Sequence, residues 1–581
     1  MKVSDYVFSF LRDKEIDTVF YLPGGGCMHL LDSLGRNAEV RGVSLLHEQA
    51  VAVAAESYAN TTGKPGCALV TTGPGGTNTV TGVLAAYLDS SPVFFLSGQV
   101  KTTDLKSRFG VRGHGSQEAD IVEIVSSITK YSVMITDKSQ IRFELEKAWH
   151  EMTSGRSGPV WIDIPLDVQG AQVEPDELER FTPECEDSDD DVSPIINALN
   201  LSKRPVIIAG NALRACLPEF RRLIEHLKIP VIPTWKAMDI IPNDDPLYAG
   251  RAGGMGDRHG NLTMQNSDLL LCLGARLDFS ITGFDRSEWA VNAKKLVVEI
   301  DPPEIVKLGD LPKLIPIIAD IRDVVTELLS RTDEIRIAEL AAWTEQISKW
   351  KSKYPITAQE GSLTTYSLIQ ELSGQLTEGA HIAPCSAGTT AEIFFQAFTV
   401  KSGQVIRSSH GLGAMGFEIP NAIGMSVAND GNSVVCIAGD GGMQLNIQEL
   451  AVISGRNLPI KIFVINNRGY ASIRNMQNTH FEGNQIGCDK ESGLYLPDLE
   501  KLATAYDIAY SQINSLDKLS ECVKNVLSLQ DAVICEVIVE GDCLVTPRTA
   551  TQILADGTMR SSPLENQFPF LHEDELKGNM L

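Results

Sequence analysis

A glycine turn between two buried strands does most to fix what this chain can fold into. Val434-Val435-Cys436-Ile437-Ala438 is an unbroken apolar run that ends at Gly439-Asp440-Gly441-Gly442. It reads as a strand covered on both faces and closed by a tight turn. A helix is predicted over Gln444 to Ser454, then a second apolar strand, Ile460 to Ile465, whose tip carries Asn466 and Asn467. The interval from Asp440 to Asn467 is about that of a βαβ crossover, which brings neighbouring strand ends together. A carboxylate on one tip and an amide oxygen on the next suit a hard cation, and the turn's N–H groups can approach a diphosphate. Strand-end Asp and Asn usually serve structure alone. Here the spacing, the doubled Asn and the strand context favour the ligand role.

The same alternation of strand and helix runs through the chain and predicts α/β architecture with doubly wound parallel sheets. At 581 residues about three domains are expected. They are placed at 1–170, 190–335 and 360–545, with 546–581 as an extended C-terminal tail. The acidic stretch from Pro175 to Asp191 reads as an exposed linker, and a helical connector carries Trp343 and Trp350. Ligands should sit at the carboxyl ends of the strands. No apolar run reaches membrane-spanning length, and Met1-Lys2-Val3-Ser4-Asp5 lacks the features of a signal peptide, so a cytoplasmic protein without a membrane partner is expected. A net charge of −25 argues against a nucleic-acid surface. Eleven cysteines with no close pair read as free thiols rather than a disulfide frame or zinc site. No short-period repeat is visible.

The first segment carries a second constellation. Val19-Phe20-Tyr21-Leu22-Pro23-Gly24-Gly25-Gly26 is a strand with a glycine turn. Val43-Ser44-Leu45-Leu46-His47-Glu48-Gln49-Ala50 is a strand leading through a carboxylate into an alanine-rich helix, and Val70 to Asn78 places another glycine loop at a helix start. Alone, Glu48 would be an ordinary helix-start carboxylate. Beside a diphosphate turn in the same chain it becomes a candidate for exchanging a proton with a ring nitrogen of a heterocyclic cofactor.

Taken together, Leu46-His47-Glu48-Gln49, Thr72 to Asn78, Ser157-Gly158-Pro159-Val160, Asp163-Ile164-Pro165, Gly411 to Phe417 and the Asp440–Asn467 motif resemble the acetolactate synthase-like thiamine-diphosphate enzymes over nearly the whole chain. The resemblance implies a domain for the cofactor's pyrimidine, a central flavin- or nucleotide-type domain, and a domain for its diphosphate and Mg²⁺. It implies Glu48 and Gln117 as catalytic residues. Pro23, Gly24, Gly25, Thr72, Gly75 and Asn78 would contact the cofactor from the first domain, and Gly388, Thr389, Thr390, Gly413, Gly439, Gly441, Gly442 and Tyr470 from the third. Met415 would lie beneath it and hold it bent. Mg²⁺ would take the side chains of Asp440 and Asn467 and the carbonyl of Gly469. FAD, in a structural role, would meet Gly210, Gly254, Met255, Gly274, Arg276, Asp301 and Asp320. Because the family places Glu48 and Asp440 in different subunits, a homodimer or homotetramer is implied.

The resemblance also marks departures. Acetolactate synthases carry an arginine four positions after the one matching Arg276, which grips the carboxylate of the acceptor 2-keto acid; this chain has Ser280. Ser116 precedes Gln117 where the family has Phe, Leu166 stands for a Lys, and Met476 falls near an acceptor-selecting Trp. All four concern the acceptor side. Tyr21 to Gly26, Gly98-Gln99-Val100-Lys101, Pro547-Arg548 and Pro563-Leu564-Glu565 resemble the surface-sugar branch. Some of its members add a two-carbon unit from pyruvate to the keto group of a nucleotide-linked deoxysugar. The alternatives are an acetolactate synthase condensing two 2-keto acids, a pyruvate oxidase-like flavoenzyme, and a non-catalytic homologue.

Overall fold

The computed structural model describes residues 1–183, 191–309, 311–356, 361–541, 544–553 and 557–581. Cys185, Cys543 and the acidic middle of the Pro175–Asp191 stretch lie outside them. Three sheets follow one another along the chain. The first holds β1 (Thr18–Tyr21), β2 (Arg41–Ser44), β3 (Gly66–Val70), β4 (Val93–Gln99), β5 (Tyr131–Met134) and β6 (Val160–Pro165), in the order β2-β1-β3-β4-β6-β5. The second holds β7 (Pro205–Ala209), β8 (Val231–Pro233), β9 (Leu269–Leu273), β10 (Lys294–Glu299) and β11 (Leu314–Ile318), ordered β11-β10-β9-β7-β8. The third holds β12 (His381–Pro384), β13 (Val405–Ile406), β14 (Val434–Gly439), β15 (Ile460–Asn466), β16 (Ala509–Ile513) and β17 (Val533–Ile538), ordered β13-β12-β14-β15-β17-β16. The pairings in all three sheets are parallel, for example β14 with β15, β3 with β4 and β7 with β9. Covered on both faces, the central strands are apolar at nearly every position.

The first and third sheets share one strand order. The helices Glu48–Thr62, after β2, and Glu418–Ala428, after β13, hold corresponding places and pack on each other. Their contact is close because it is built from small residues: a Cβ on Gly424 would stand 2.4 Å from the carbonyl oxygen of Ala54. Ser57 Oγ donates to the Asn421 carbonyl at 2.8 Å. One hydrophobic cluster spans both domains, with Val51, Ala54, Ile419, Ile423 and Met425 buried in it. Each large apolar side chain removed from water stabilises this junction by roughly 1.5–3 kcal/mol, so apolar packing contributes more to the domain pair than any one of its polar contacts.

Two expectations are corrected. The helix expected over Gln444–Ser454 is a 3₁₀ segment, Gly442–Glu449, broken at Asn446 (φ −133°, ψ 31°), followed by a short α-helix, Leu450–Gly455. The C-terminal segment is not extended. It forms an antiparallel hairpin of β18 (Thr551–Ile553) and β19 (Met559–Ser561) and a helix, Glu573–Asn579. It folds back on the central domain, where Thr549 N donates to Gly254 O at 2.8 Å, and on the connecting helix, where Trp350 Nε1 donates to Asn579 Oδ1 at 3.0 Å. Trp343 and Trp350 are buried on the connecting helix Ala341–Lys353. The nine described cysteines are free, and no helix among the described residues is long and apolar enough to cross a membrane.

Candidate active site

At the tip of β14, Asp440 is buried. Its Oδ1 accepts from Gly441 N at 2.8 Å and its Oδ2 from Gly469 N at 2.9 Å. Burial pushes the carboxyl up to about 6 against the pull of those N–H donors. One strand away, just past the end of β15, Asn467 Oδ1 is buried with no hydrogen-bond partner. An acceptor left unmade in this way costs about 1–3 kcal/mol. A hard cation would satisfy it and would favour the charged form of Asp440. Among the described residues no group of three or more His, Cys, Asp or Glu side chains is set to hold a metal. A cation here would therefore need oxygens from a bound ligand as well, which fits Mg²⁺ held jointly with a diphosphate.

The glycines of the turn around Asp440 are required by close contacts within the protein. A Cβ on Gly441 would stand 2.5 Å from the Tyr470 ring, and one on Gly469 (φ +123°) 2.2 Å from the Cys488 carbonyl oxygen. Gly439 ends β14, and Gly442 faces the Glu418 carboxyl. A second turn, after β12, opens the helix Gly388–Ala397; Thr389 is half-buried and Thr390 buried. Gly413 N bonds back to Ser409 O at 3.0 Å, and Met415 beyond it is 41% exposed. Met415 is thus no core methionine; it stands at the open surface beside the turns.

In the first domain Glu48 opens its helix and is 8% exposed; its Oε2 accepts from Asn78 Nδ2 at 3.0 Å. His47 caps the same helix through Nδ1, which accepts from Gln49 N at 3.0 Å. The loops after β1 and β3 lock together where Gly26 N donates to Thr71 Oγ1 at 3.0 Å, with Pro23, Gly24, Gly25 and Gly75 in the two turns. Thr72 is committed inward: its hydroxyl donates to Gln99 Oε1 at 2.7 Å, and Gln99 Nε2 continues to Asp163. Gln117 is exposed and left-handed (φ +61°), with its carbonyl pressed against Gly73. These loops bring Asn78 to Glu48 directly.

A cavity of about 660 Å³ runs from the carboxyl ends of the central sheet to the turns at Gly388 and Gly411. Gly254, Met255, Gly274, Arg276 and Asp320 line it; Gly210 and Asp301 do not. Gly210 lies against the Gly274 carbonyl, and Asp301 pairs with Arg156 at 2.8 Å. Sequence reasoning missed Trp235, Lys236, Asp89 and His410 on the cavity wall. Trp235 stacks on Phe395 at 4.1 Å and meets His410 edge-on at 4.5 Å, while Lys236 Nζ lies 2.8 Å from Asp89. Burial drives the His410 imidazole down to about 4. The available signal was positional, since Trp235-Lys236 lie just past Thr234 at the carboxyl end of β8, where ligand contacts concentrate.

The chain matches three successive families: the N-terminal TPP binding domain of thiamine pyrophosphate enzymes over residues 1–124, their central domain over 192–328, and their C-terminal TPP binding domain over 386–537. Fold and site thus define a thiamine-diphosphate enzyme. Its relatives include the acetolactate synthase large subunits of Lactococcus lactis (31% identical, 95% of each chain covered) and Cyanidium caldarium (32%, 96% of each). That of Haemophilus influenzae is 29% identical, over 91% of this chain and 93% of its own. The chain belongs to the acetolactate synthase-like family of thiamine-diphosphate enzymes.

Proposed function

We propose that the protein decarboxylates pyruvate and transfers the two-carbon acyl unit to a carbonyl acceptor, a neutral ketone such as a nucleotide-linked keto-deoxysugar. The observation that carries the choice of acceptor is the wall around Ser280. Its N and Oγ both donate to Asp278 Oδ1, and Arg276 commits Nε and Nη2 to Asp278 Oδ2. This segment therefore offers an incoming carboxylate no free guanidinium, the group that binds carboxylates best, whereas a ketone needs none. A second reading, condensation of two 2-keto acids, is favoured by the names of the relatives, which are acetolactate synthases at about 30% identity.

Thiamine diphosphate, when bound, supplies the nucleophilic carbon and the electron sink for decarboxylation. Asp440, Asn467 and the Gly469 carbonyl would hold Mg²⁺, and the backbone at Gly388–Thr390, Gly413, Gly439–Gly442 and Tyr470 would receive the diphosphate. Glu48, kept in place by Asn78, would exchange a proton with the pyrimidine ring. Gln117 would face the substrate, and Met415 would support the cofactor from below. The 660 Å³ cavity suits FAD in a structural role, with Arg276 and Asp320 on its wall. We infer a cytoplasmic homodimer or homotetramer in which Glu48 serves the partner's Asp440 turn.

The deciding experiment is product analysis with thiamine diphosphate, Mg²⁺ and pyruvate, with and without a nucleotide-linked 4-keto-deoxysugar. Fast tertiary-alcohol product and slow acetolactate are expected, and Ser280→Arg should raise acetolactate formation. Rapid acetolactate from pyruvate alone, indifferent to the ketone, would overturn the choice of acceptor.

A further inference from the structure

The segment that follows the Asp440 turn does more than leave the site. Glu449 is fully buried in the third domain, and both its carboxylate oxygens accept from Leu46 N of the first, at 3.1 and 3.2 Å. Leu46 lies two residues before Glu48. From the break in the same segment, Asn446 Nδ2 reaches Gln49 Oε1, one residue after Glu48, at 3.4 Å and the Gly416 carbonyl, beside Met415, at 2.8 Å. Gln448 Nε2 joins the two, 3.2 Å from Asn446 Oδ1 and 3.4 Å from Glu449 Oε1. Eight residues beginning at Gly442 thus touch the chain on both sides of Glu48, at the Leu46 backbone before it and the Gln49 side chain after it.

We propose that Glu449 is a positioning residue for Glu48: its carboxylate fixes the loop that aims Glu48 and ties the first-domain half of one active site to the Asp440 half carried by the same chain. The inference rests on the proposed role of Glu48. It has a clear physical basis. A buried carboxylate stays in an apolar junction only if hydrogen-bonded, and here the bond goes to the loop rather than to a counter-ion. Glu449 forms no ion pair among the described residues. The titratable groups on the loop it holds are His47 and Glu48. Burial pushes Glu449 up to about 7, against the N–H donors of Leu46 and His47 and the amide of Gln448. The hydrogen bond is charge-assisted above that pH and weaker below it.

The test combines two readouts. In the apoenzyme, amide hydrogen exchange of the peptide around Leu46, corrected for intrinsic rates, should lose protection in Glu449→Ala. In the wild type it should weaken as pH falls through about 7, and in Glu449→Gln it should not depend on pH. In the holoenzyme, exchange of the thiazolium C2 proton of bound thiamine diphosphate should slow about tenfold in Glu449→Ala. Glu449→Gln should match the wild type at pH 6 and fall below it at pH 8. Glu48→Gln, which should abolish that exchange, checks the reading of Glu48 separately. Unchanged Leu46 protection and unchanged C2 exchange in the Glu449 variants, with Glu48→Gln inactive, would overturn the inference and leave the proposed function standing. Should Glu449→Ala fail to fold, the pH dependence of Glu449→Gln decides.

Discussion

A single methyl group would probe the proposed diphosphate turn most directly. Gly441→Ala places a Cβ 2.5 Å from the Tyr470 ring, a contact that neither side can relax without moving the turn. Overpacking of this kind costs about 1–3 kcal/mol. We expect the affinity for thiamine diphosphate with Mg²⁺ to fall by about tenfold or more while the apoenzyme stays folded, as a fluorescence titration would read. Unchanged affinity would mean that the Gly441 backbone does not approach the cofactor. Asp440, Asn467 and their glycines are legible in the sequence because a local βαβ unit sets their geometry. Glu449 is not, because its partner Leu46 lies 403 positions away and nothing local distinguishes it from other helix glutamates.

Between elements, one buried polar link is centred on Asp239, beyond β8. It pairs with Arg214 and with Arg407, which follows β13 at 2.8 Å, and its Oδ2 also accepts from Ile406 N at 3.0 Å. Arg407 Nε continues to the Asn60 carbonyl of the first domain at 2.7 Å. Burial alone would raise the Asp239 carboxyl, but Arg214 and Arg407 hold it at about 2. Because that is below the unfolded value of about 3.9, the stabilisation is complete above about pH 4 and is lost as pH falls toward 2. Asp239→Ala should destabilise by about 3–5 kcal/mol, since two arginines lose their buried partner. Asp239→Asn should flatten the acid limb of a stability titration between pH 4 and 2; an unchanged limb would show that the link carries no stability. The misread helix at Gln444–Ser454 belongs to this scale too. Its apolar spacing suits a helix, but Asn446 is drawn to Gln49 and Gly416 by contacts that no local window contains.

For the whole molecule, apolar side chains stand exposed near both half-sites: Met28 and Leu46 in the first domain, Met415, Leu445, Ile473 and Met476 in the third. Exposed apolar surface of this kind marks interaction faces, which supports a dimer whose active sites are shared between subunits. Coexpressed Glu48→Gln and Asp440→Ala chains should then regain roughly a quarter of wild-type turnover, because half of random dimers carry one intact site. No recovery in purified mixed dimers would put each site within a single chain. By itself the sequence determined the α/β class, the βαβ unit that carries Asp440 and Asn467, and the Glu48 loop, because buried parallel strands and strand-end turns write their pattern into a few consecutive residues. The common strand order of the first and third sheets, the folding back of the C-terminal segment, the cavity wall at Trp235 and His410, and the hold of Glu449 on the Glu48 loop were decided only in the tertiary structure. Each depends on residues far apart in the chain being brought together by packing of whole domains, and local sequence carries no term for that.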